Sequence, residues 1–504
     1  MTLAQHGSKW ILIGILVSST LCVQNSMICH SHDDLGWLKT IDQYYTDAVR
    51  NIFNSVLDSL EASDPGSPTK RKFVYSETGF LKMYIEEEPE KRQAKIDRIK
   101  RLIKRGQWEF VNGGMSQSDE ASPHFEDIID NYYAGLRYLK KNFQATSNTC
   151  WQLDPFGHSK TLHFIAAKFG MKHSVFSRLP GKVFNEWEKQ QKLDYLWKFP
   201  DGTHIVVHAH AGYYPPESLG CFDSECDITK FNQAQFTNDC RIFDRRYRQN
   251  SLFTVGGDFH YQHAQKKFDF LDHVISKNPN TNYALMSEFA SEFDKRYPTD
   301  KLPVFEDDLF VYQEYVSKGV DDWSGYFTTH PRLKRRIKRV GLMLRSVKAL
   351  IGIAYSKYGQ DENDRKQLLK MITEANEEFG IFMHHDSITG TSVEKVYDDY
   401  MKLLSKLEKQ IEDIWGFLAD VEVEVLDTEE LIAGTKTKFM FHEELKSKGK
   451  STLAFINPSA SIAEKQISIP IPFEFKDYSF SLKSSNGAPI DFSLTFLEFS
   501  NSVK

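Results

Sequence analysis

The chain has 504 residues, enough for about three domains of ordinary size. A hydrophobic share of 40% and a charged share of 26% describe an ordinary globular composition able to bury a core. Net charge is only −6 and no basic domain or nucleic-acid motif is present, which argues against nucleic acid as a partner.

In chain order, Lys9 precedes the apolar run Trp10 to Val17 and then the small residues Ser18, Ser19 and Thr20. This run falls short of the roughly 20 residues of a membrane span, so residues 1–24 read as a cleaved secretory signal and no stable membrane span is expected. The secretory route permits disulfides. Cys221 and Cys226 have the spacing of a small loop bridge, whereas Cys29 and Cys150 sit in expected buried strands, where free thiols are at least as natural. No Asn-X-Ser/Thr sequon occurs; Asn457-Pro458-Ser459 is blocked by its proline.

Residues 25–300 alternate short apolar runs with helical patterns, the signature of βα units and a largely parallel sheet. Strands are expected at Met27–His32, Lys72–Ser76, Glu109–Asn112, Thr149–Asp154, His173–Ser177, His204–His210, Leu252–Gly256 and Ala284–Ser287. Over 301–420 three helical stripes follow. The first is Leu333, Ile337, Val340, Leu344, Val347 and Ile351; the second is Leu368, Leu369, Ile372 and Ala375. The third is Val396, Tyr400, Leu403, Leu407, Ile411, Ile414 and Leu418, and together they predict a three-helix bundle. Residues 421–504 turn to β patterns and read as the opening of a β-sandwich that stops early.

Three clusters concentrate chemistry. In His30-Ser31-His32-Asp33-Asp34-Leu35-Gly36-Trp37, strand alternation puts His30, His32 and Asp34 on one face, a half-site for zinc. The others are Trp151-Gln152-Leu153-Asp154-Pro155-Phe156-Gly157-His158-Ser159 and Met383-His384-His385-Asp386-Ser387-Ile388-Thr389-Gly390-Thr391. One such cluster could be a polar loop after a short strand. Three of them point to strand ends delivering ligands into one pocket, as α/β architectures do. Abundant aromatics (37 Phe, 22 Tyr, 8 Trp) fill cores and are compatible with sugar stacking.

These three motifs and Gly256-Gly257-Asp258-Phe259 stand in the order seen in glycoside hydrolase family 38, which the chain resembles from about residue 27 to 420. Asn112-Gly113-Gly114 and Gly325-Tyr326-Phe327 add to the likeness, and Asp33-Asp34 is similar to the lysosomal-type members rather than the Golgi type. The resemblance implies an α/β fold: a seven-stranded, mostly parallel β/α barrel-like catalytic domain, then the helical bundle and the partial sandwich. It implies one zinc ion per chain, bound by His32, Asp34, Asp154 and His385; two imidazoles and two carboxylates suit zinc on chemical grounds as well. His30 and His384 would support those ligands.

It further implies a retaining exo-α-mannosidase acting on mannose-containing, glycoprotein-derived oligosaccharides, in the secretory pathway as a lysosomal or secreted protein. Asp154 would be the nucleophile and Asp258 the general acid/base, with their carboxyl groups roughly 5–5.5 Å apart. Trp37 and Phe156 would wall the sugar, and Arg178 and Asp386 would hydrogen-bond it. Around Asp258 the chain departs from lysosomal relatives, reading His260-Tyr261-Gln262-His263-Ala264 where they usually carry Tyr-Glu-Asn-Ala. Two other readings compete: a truncated, inactive or weak mannose-binding fragment, and a zinc hydrolase of another type, such as a carbohydrate deacetylase, which leaves the Asp258 motif unexplained. A homo-oligomer is possible on this reading.

Overall fold

The computed structural model describes residues 24–419 except 65, 68, 211, 248, 249, 317, 318, 359 and 360, together with 447, 448, 481 and 483. The expected signal up to residue 23 and the strands expected beyond 420 lie outside the described residues.

The strands are β1 (Gln24–Cys29), β2 (Phe73–Tyr75), β3 (Trp108–Phe110), β4 (Thr149–Gln152), β5 (His173–Phe176), β6 (Asp194–Lys198), β7 (His204–Ala209), β8 (Asn250–Val255), β9 (Thr281–Tyr283), β10 (Val304–Phe305), β11 (Gln313–Val316) and β12 (Gly319–Asp322). They pair as four separate pieces, in the orders β8-β1-β9, β2-β3, β10-β6-β7-β5-β4 and β11-β12. Pairing is parallel except at β6–β7 and β11–β12. The expected seven-stranded sheet is therefore not one continuous ladder. β2 and β3 are only three residues long, too short for extended pairing, and isolated contacts carry the backbone onward. His30 bridges Val74, and the Asn112 N–H donates to Thr149 O at 2.8 Å.

β1 shows why its run is almost wholly apolar. Met27 and Cys29 enter one core cluster and Ile28 the other, so both faces are covered, as in parallel sheets. Each such buried side chain contributes about 1.5–3 kcal/mol. The strand expected at Ala284–Ser287 is displaced: β9 ends at Tyr283 and the Met286–Arg296 helix begins. The cause is capping, since the Glu288 carboxylate accepts the Leu285 N–H at 2.8 Å. β6, β10, β11 and β12 carried no expectation.

Three long helices, Pro331–Tyr358, Glu362–Ile381 and Glu394–Ala419, pack on one another. The first stripe is buried throughout. In the second, Leu368, Ile372 and Ala375 face inward while Leu369, one position round the helix, is 47% exposed. In the third, Leu404 takes the core position expected of Leu403. This layer docks on the Phe125–Phe143 helix of the first region. Lys348 pairs with Asp130 at 2.5 Å, and Lys82 with Glu377 at 2.6 Å. A Cβ on Gly380 would sit 2.8 Å from the Met115 Cβ, so glycine permits the close approach.

Candidate active site

The site begins where β1 and β8 run past their last ladder pairs. The His32 N–H donates to Gly257 O at 3.0 Å and the Phe259 N–H to His32 O at 2.9 Å, which sets Asp258 beside His32. The approach demands glycine, because a Cβ on Gly256 would lie 1.9 Å from His30 O. Asp154 follows β4, and His385 sits in the turn after the Glu362–Ile381 helix.

The structure brings His32, Asp34, Asp154 and His385 together, all buried, with one donor atom of each within 4.8 Å of the others. His32 Nε2 is 2.8 Å from Asp34 Oδ1 and 3.4 Å from Asp154 Oδ2. His385 Nε2 is 3.5 Å from Asp34 Oδ1 and 3.3 Å from Asp154 Oδ2. The other ring nitrogen of His385, Nδ1, donates to Gln117 O at 2.9 Å, which fixes the tautomer and aims Nε2 inward. That inward nitrogen has no hydrogen-bond partner in the protein although it is buried. A nitrogen-and-oxygen set of this size and convergence fits a zinc ion. Within the protein alone, burial opposes charging His385, but the carboxylates of Asp154 and Asp34 facing its ring win and push it up to about 10.

Arg178 occupies the remaining oxygen of Asp154. Its Nε lies 2.5 Å from Oδ1, and Nη2 contacts the same atom. The guanidinium is wrapped by the rings of Trp323 at 5.1 Å, Tyr213 at 5.2 Å, Phe156 at 5.7 Å and Tyr312 at 5.7 Å. Burial works against an ionised Asp154, yet Arg178 and the two imidazoles hold its carboxyl well below the usual range. Asp258 goes the other way: burial raises it, and the charges of Asp34 and Asp154 add to the effect against His32 and Tyr213. Two environments thus separate two carboxyl groups.

Sequence reasoning missed the groups that grip Asp258. The Tyr213 hydroxyl donates to Oδ1 and the Tyr214 hydroxyl to Oδ2 at 2.9 Å. A signal existed, since this tyrosine pair closely follows β7 at its carboxyl end. It also missed Glu120, which accepts from His158 Nδ1 at 2.8 Å and from Ser159 N at 2.7 Å, tying down the segment after Asp154.

Phe156 is buried and edge-on to the His385 ring, 6.0 Å between centroids. Trp37 is half-buried against the main core, and its carbonyl accepts from Val393 N at 3.1 Å. Asp386 accepts from the Thr391 hydroxyl, and its Oδ2 is 3.6 Å from His384 Nε2. His384 also comes within 3.8 Å of Asp34. His30 does not take the supporting role expected of it. Neither of its nitrogens forms a hydrogen bond, and its ring packs edge-on to Trp151 at 5.3 Å. Cys221 and Cys226 are bridged, and Cys29 and Cys150 are free and buried.

Fold and site together define an α/β protein with a two-carboxylate, metal-capable centre at its strand ends. Residues 23–314 match the glycosyl hydrolases family 38 N-terminal domain, and residues 321–420 match the alpha mannosidase middle domain. The chain belongs to glycosyl hydrolase family 38. A probable alpha-mannosidase of Arabidopsis thaliana is 31% identical over 413 residues, 75% of this chain and 37% of its own. The lysosomal alpha-mannosidase of Homo sapiens is 29% identical over 419 residues, 75% of this chain and 40% of its own. The crystal structure of an alpha-mannosidase from Enterococcus faecalis shares the fold, with TM-score 0.62 at 20% identity over 78% of this chain and 42% of that one. The chain spans about two fifths of the length of the curated relatives it matches. No helix among the described residues is long and apolar enough to cross a membrane.

Proposed function

We propose that the protein is a zinc-dependent, retaining exo-α-mannosidase that removes terminal α-mannosyl residues from glycoprotein-derived oligosaccharides. The observation that carries this reading is the divided environment of Asp154, with one oxygen on Arg178 and the other turned to His32 and His385. A carboxylate so held is ionised and aimed, ready to attack an anomeric carbon without a separate base. Asp258, whose carboxyl is raised chiefly by burial, gives its proton to the departing glycosidic oxygen. It then takes one from the water that cleaves the bond between Asp154 and the sugar. Tyr213 and Tyr214 hold Asp258 in line for both transfers.

His32, Asp34, Asp154 and His385 would hold the zinc ion, which when bound supplies Lewis-acid contacts to the sugar hydroxyls at C2 and C3. Trp37 and Phe156 act as walls for the ring, and Asp386 as a hydrogen-bonding group. The catalytic region, about 25–300, and the helical region, about 301–420, share the site. The apolar N-terminal run, the Cys221–Cys226 bridge and the likeness to a lysosomal relative support residence in the secretory pathway.

The test is hydrolysis of an aryl α-mannoside by the purified 504-residue chain, with and without added zinc. Expected are zinc-dependent turnover, loss of turnover in Asp154→Asn, and an α-configured mannose product by proton NMR. A β-configured first product would refute the retaining mechanism. Zinc and mannose binding without turnover would refute the catalytic reading.

A further inference from the structure

Residues 116–119 run along the junction between the two matched regions. Ser116 Oγ donates to Gly380 O at 2.7 Å, Ser118 bridges His384 in the antiparallel sense, and the Asp119 N–H donates to Met383 O at 2.8 Å. Gln117 lies in the middle of this segment, fully buried, and touches both halves of the site. Its main-chain carbonyl accepts from His385 Nδ1 at 2.9 Å. Its side-chain Oε1 accepts the Asp154 N–H at 3.2 Å, while Nε2 donates to Glu77 Oε1 at 3.4 Å.

We propose that Gln117 is a positioning residue that sets Asp154 against His385 across the junction and thereby tunes the affinity of the site for a divalent metal ion. This rests on the metal reading above and adds a residue that the reading does not include.

The backbone bond to His385 is open to any residue at this position. The side chain is what matters. A primary amide of this length offers an acceptor to the Asp154 N–H and a donor to Glu77 at once. Methionine has the same length and offers neither, leaving a buried N–H without a partner. The Asp154 peptide then relieves that loss by shifting, and its carboxylate moves with it. A glutamate would keep the acceptor for Asp154. Burial pushes Glu77 up to about 8, so below that pH Glu77 carries a proton it could donate to the new carboxylate. Loss of a group that orients a metal ligand costs about 10- to 100-fold in metal affinity.

The test is zinc binding to the 504-residue chain in competition with a chromophoric chelator, for wild type, Gln117→Met and Gln117→Glu. The thermal midpoint of each metal-free protein is recorded alongside. Expected are a zinc dissociation constant raised about 10- to 100-fold in Gln117→Met, and one near wild type in Gln117→Glu. If Gln117→Met does not fold, Gln117→Asn, one methylene too short to reach Asp154, takes its place with the same expected direction. Wild-type affinity in Gln117→Met, or equal weakening in the Met and Glu variants, would overturn the proposal. A wild-type chain that binds no zinc would overturn the metal reading itself, so the two failures are distinguishable.

Discussion

Arg178 donates from Nε to Oδ1 of Asp154 at 2.5 Å, leaving Oδ2 to face the imidazoles of His32 and His385. The carboxylate is pinned at both ends, and in the proposed mechanism a charge pair sheltered among aromatic rings sets its line of attack. Arg178→Met should lower kcat about 100-fold, the cost of a displacement near 1 Å at a reacting centre. The same variant should move the acidic limb of the pH profile upward, because among the protein's own groups Arg178 does most to keep Asp154 ionised. Steady-state kinetics across pH check both; an unmoved limb would refute the assignment.

The pH profile should also report on Asp258, which in the proposed mechanism acts as the acid. Its carboxyl is raised, so activity persists at acidic pH and falls as pH rises through that value. Tyr213 donates to the carboxylate form and pulls the other way. Tyr213→Phe should therefore shift the alkaline limb of kcat/KM to higher pH. A shift to lower pH would mean that Asp258 is not the acid.

Proton donation matters most when the leaving group is a poor one. Asp258→Asn should lose about 100- to 10,000-fold on an alkyl α-mannoside. It should lose far less on a dinitrophenyl α-mannoside, whose leaving group departs unaided. Equal losses on both substrates would assign Asp258 a structural role.

Glu77 links pH to folding. Burial raises its carboxyl to about 8, above the ordinary 4.5, so the folded state holds the proton more tightly than the unfolded chain. Its stabilising contribution is complete below the unfolded value and is lost as pH rises from there to about 8. The thermal midpoint in the presence of a chelator should fall over that range, and Glu77→Gln should flatten the fall. A variant whose pH dependence matches wild type would remove Glu77 from the account.

Gly256→Ala should be among the most damaging single-methyl changes. Its Cβ would meet His30 O at 1.9 Å between two paired strands that have no room to part. A loss of at least about 2 kcal/mol in chemical denaturation is expected. A neutral result would show that the β1–β8 junction yields easily.

Much of this was legible in the residues. A His-X-Asp step at a strand end, and aspartates beside glycine or proline, carry their chemistry in local sequence, so His32, Asp34, Asp154 and Asp258 stand out. The long stripes of the helical region are equally plain, because the first and third extend over about five turns or more of regular spacing. What stayed hidden depends on neighbours distant in sequence. Tyr213 and Tyr214 read as ordinary aromatics until Asp258 lies under their hydroxyls. Gln117 has no local signature, as its partners are Asp154, Glu77 and His385. β6 is only five residues long with a charged residue at each end, and its parallel partner β10 lies about a hundred positions further on, so its short apolar centre carried little local signal. Leu369 and Leu403 were misplaced because adjacent leucines leave helical phase ambiguous by one residue.

His32, Asp34 and Asp154 precede His385 by more than two hundred positions. During synthesis a ribosome emits the chain from its N-terminus, so the first three groups emerge well before the fourth. Until the turn after the Glu362–Ile381 helix has left the exit tunnel and docked, the nascent protein holds an incomplete donor set. Its chemistry is thereby timed: the centre cannot assemble until the helical region has folded onto the sheet.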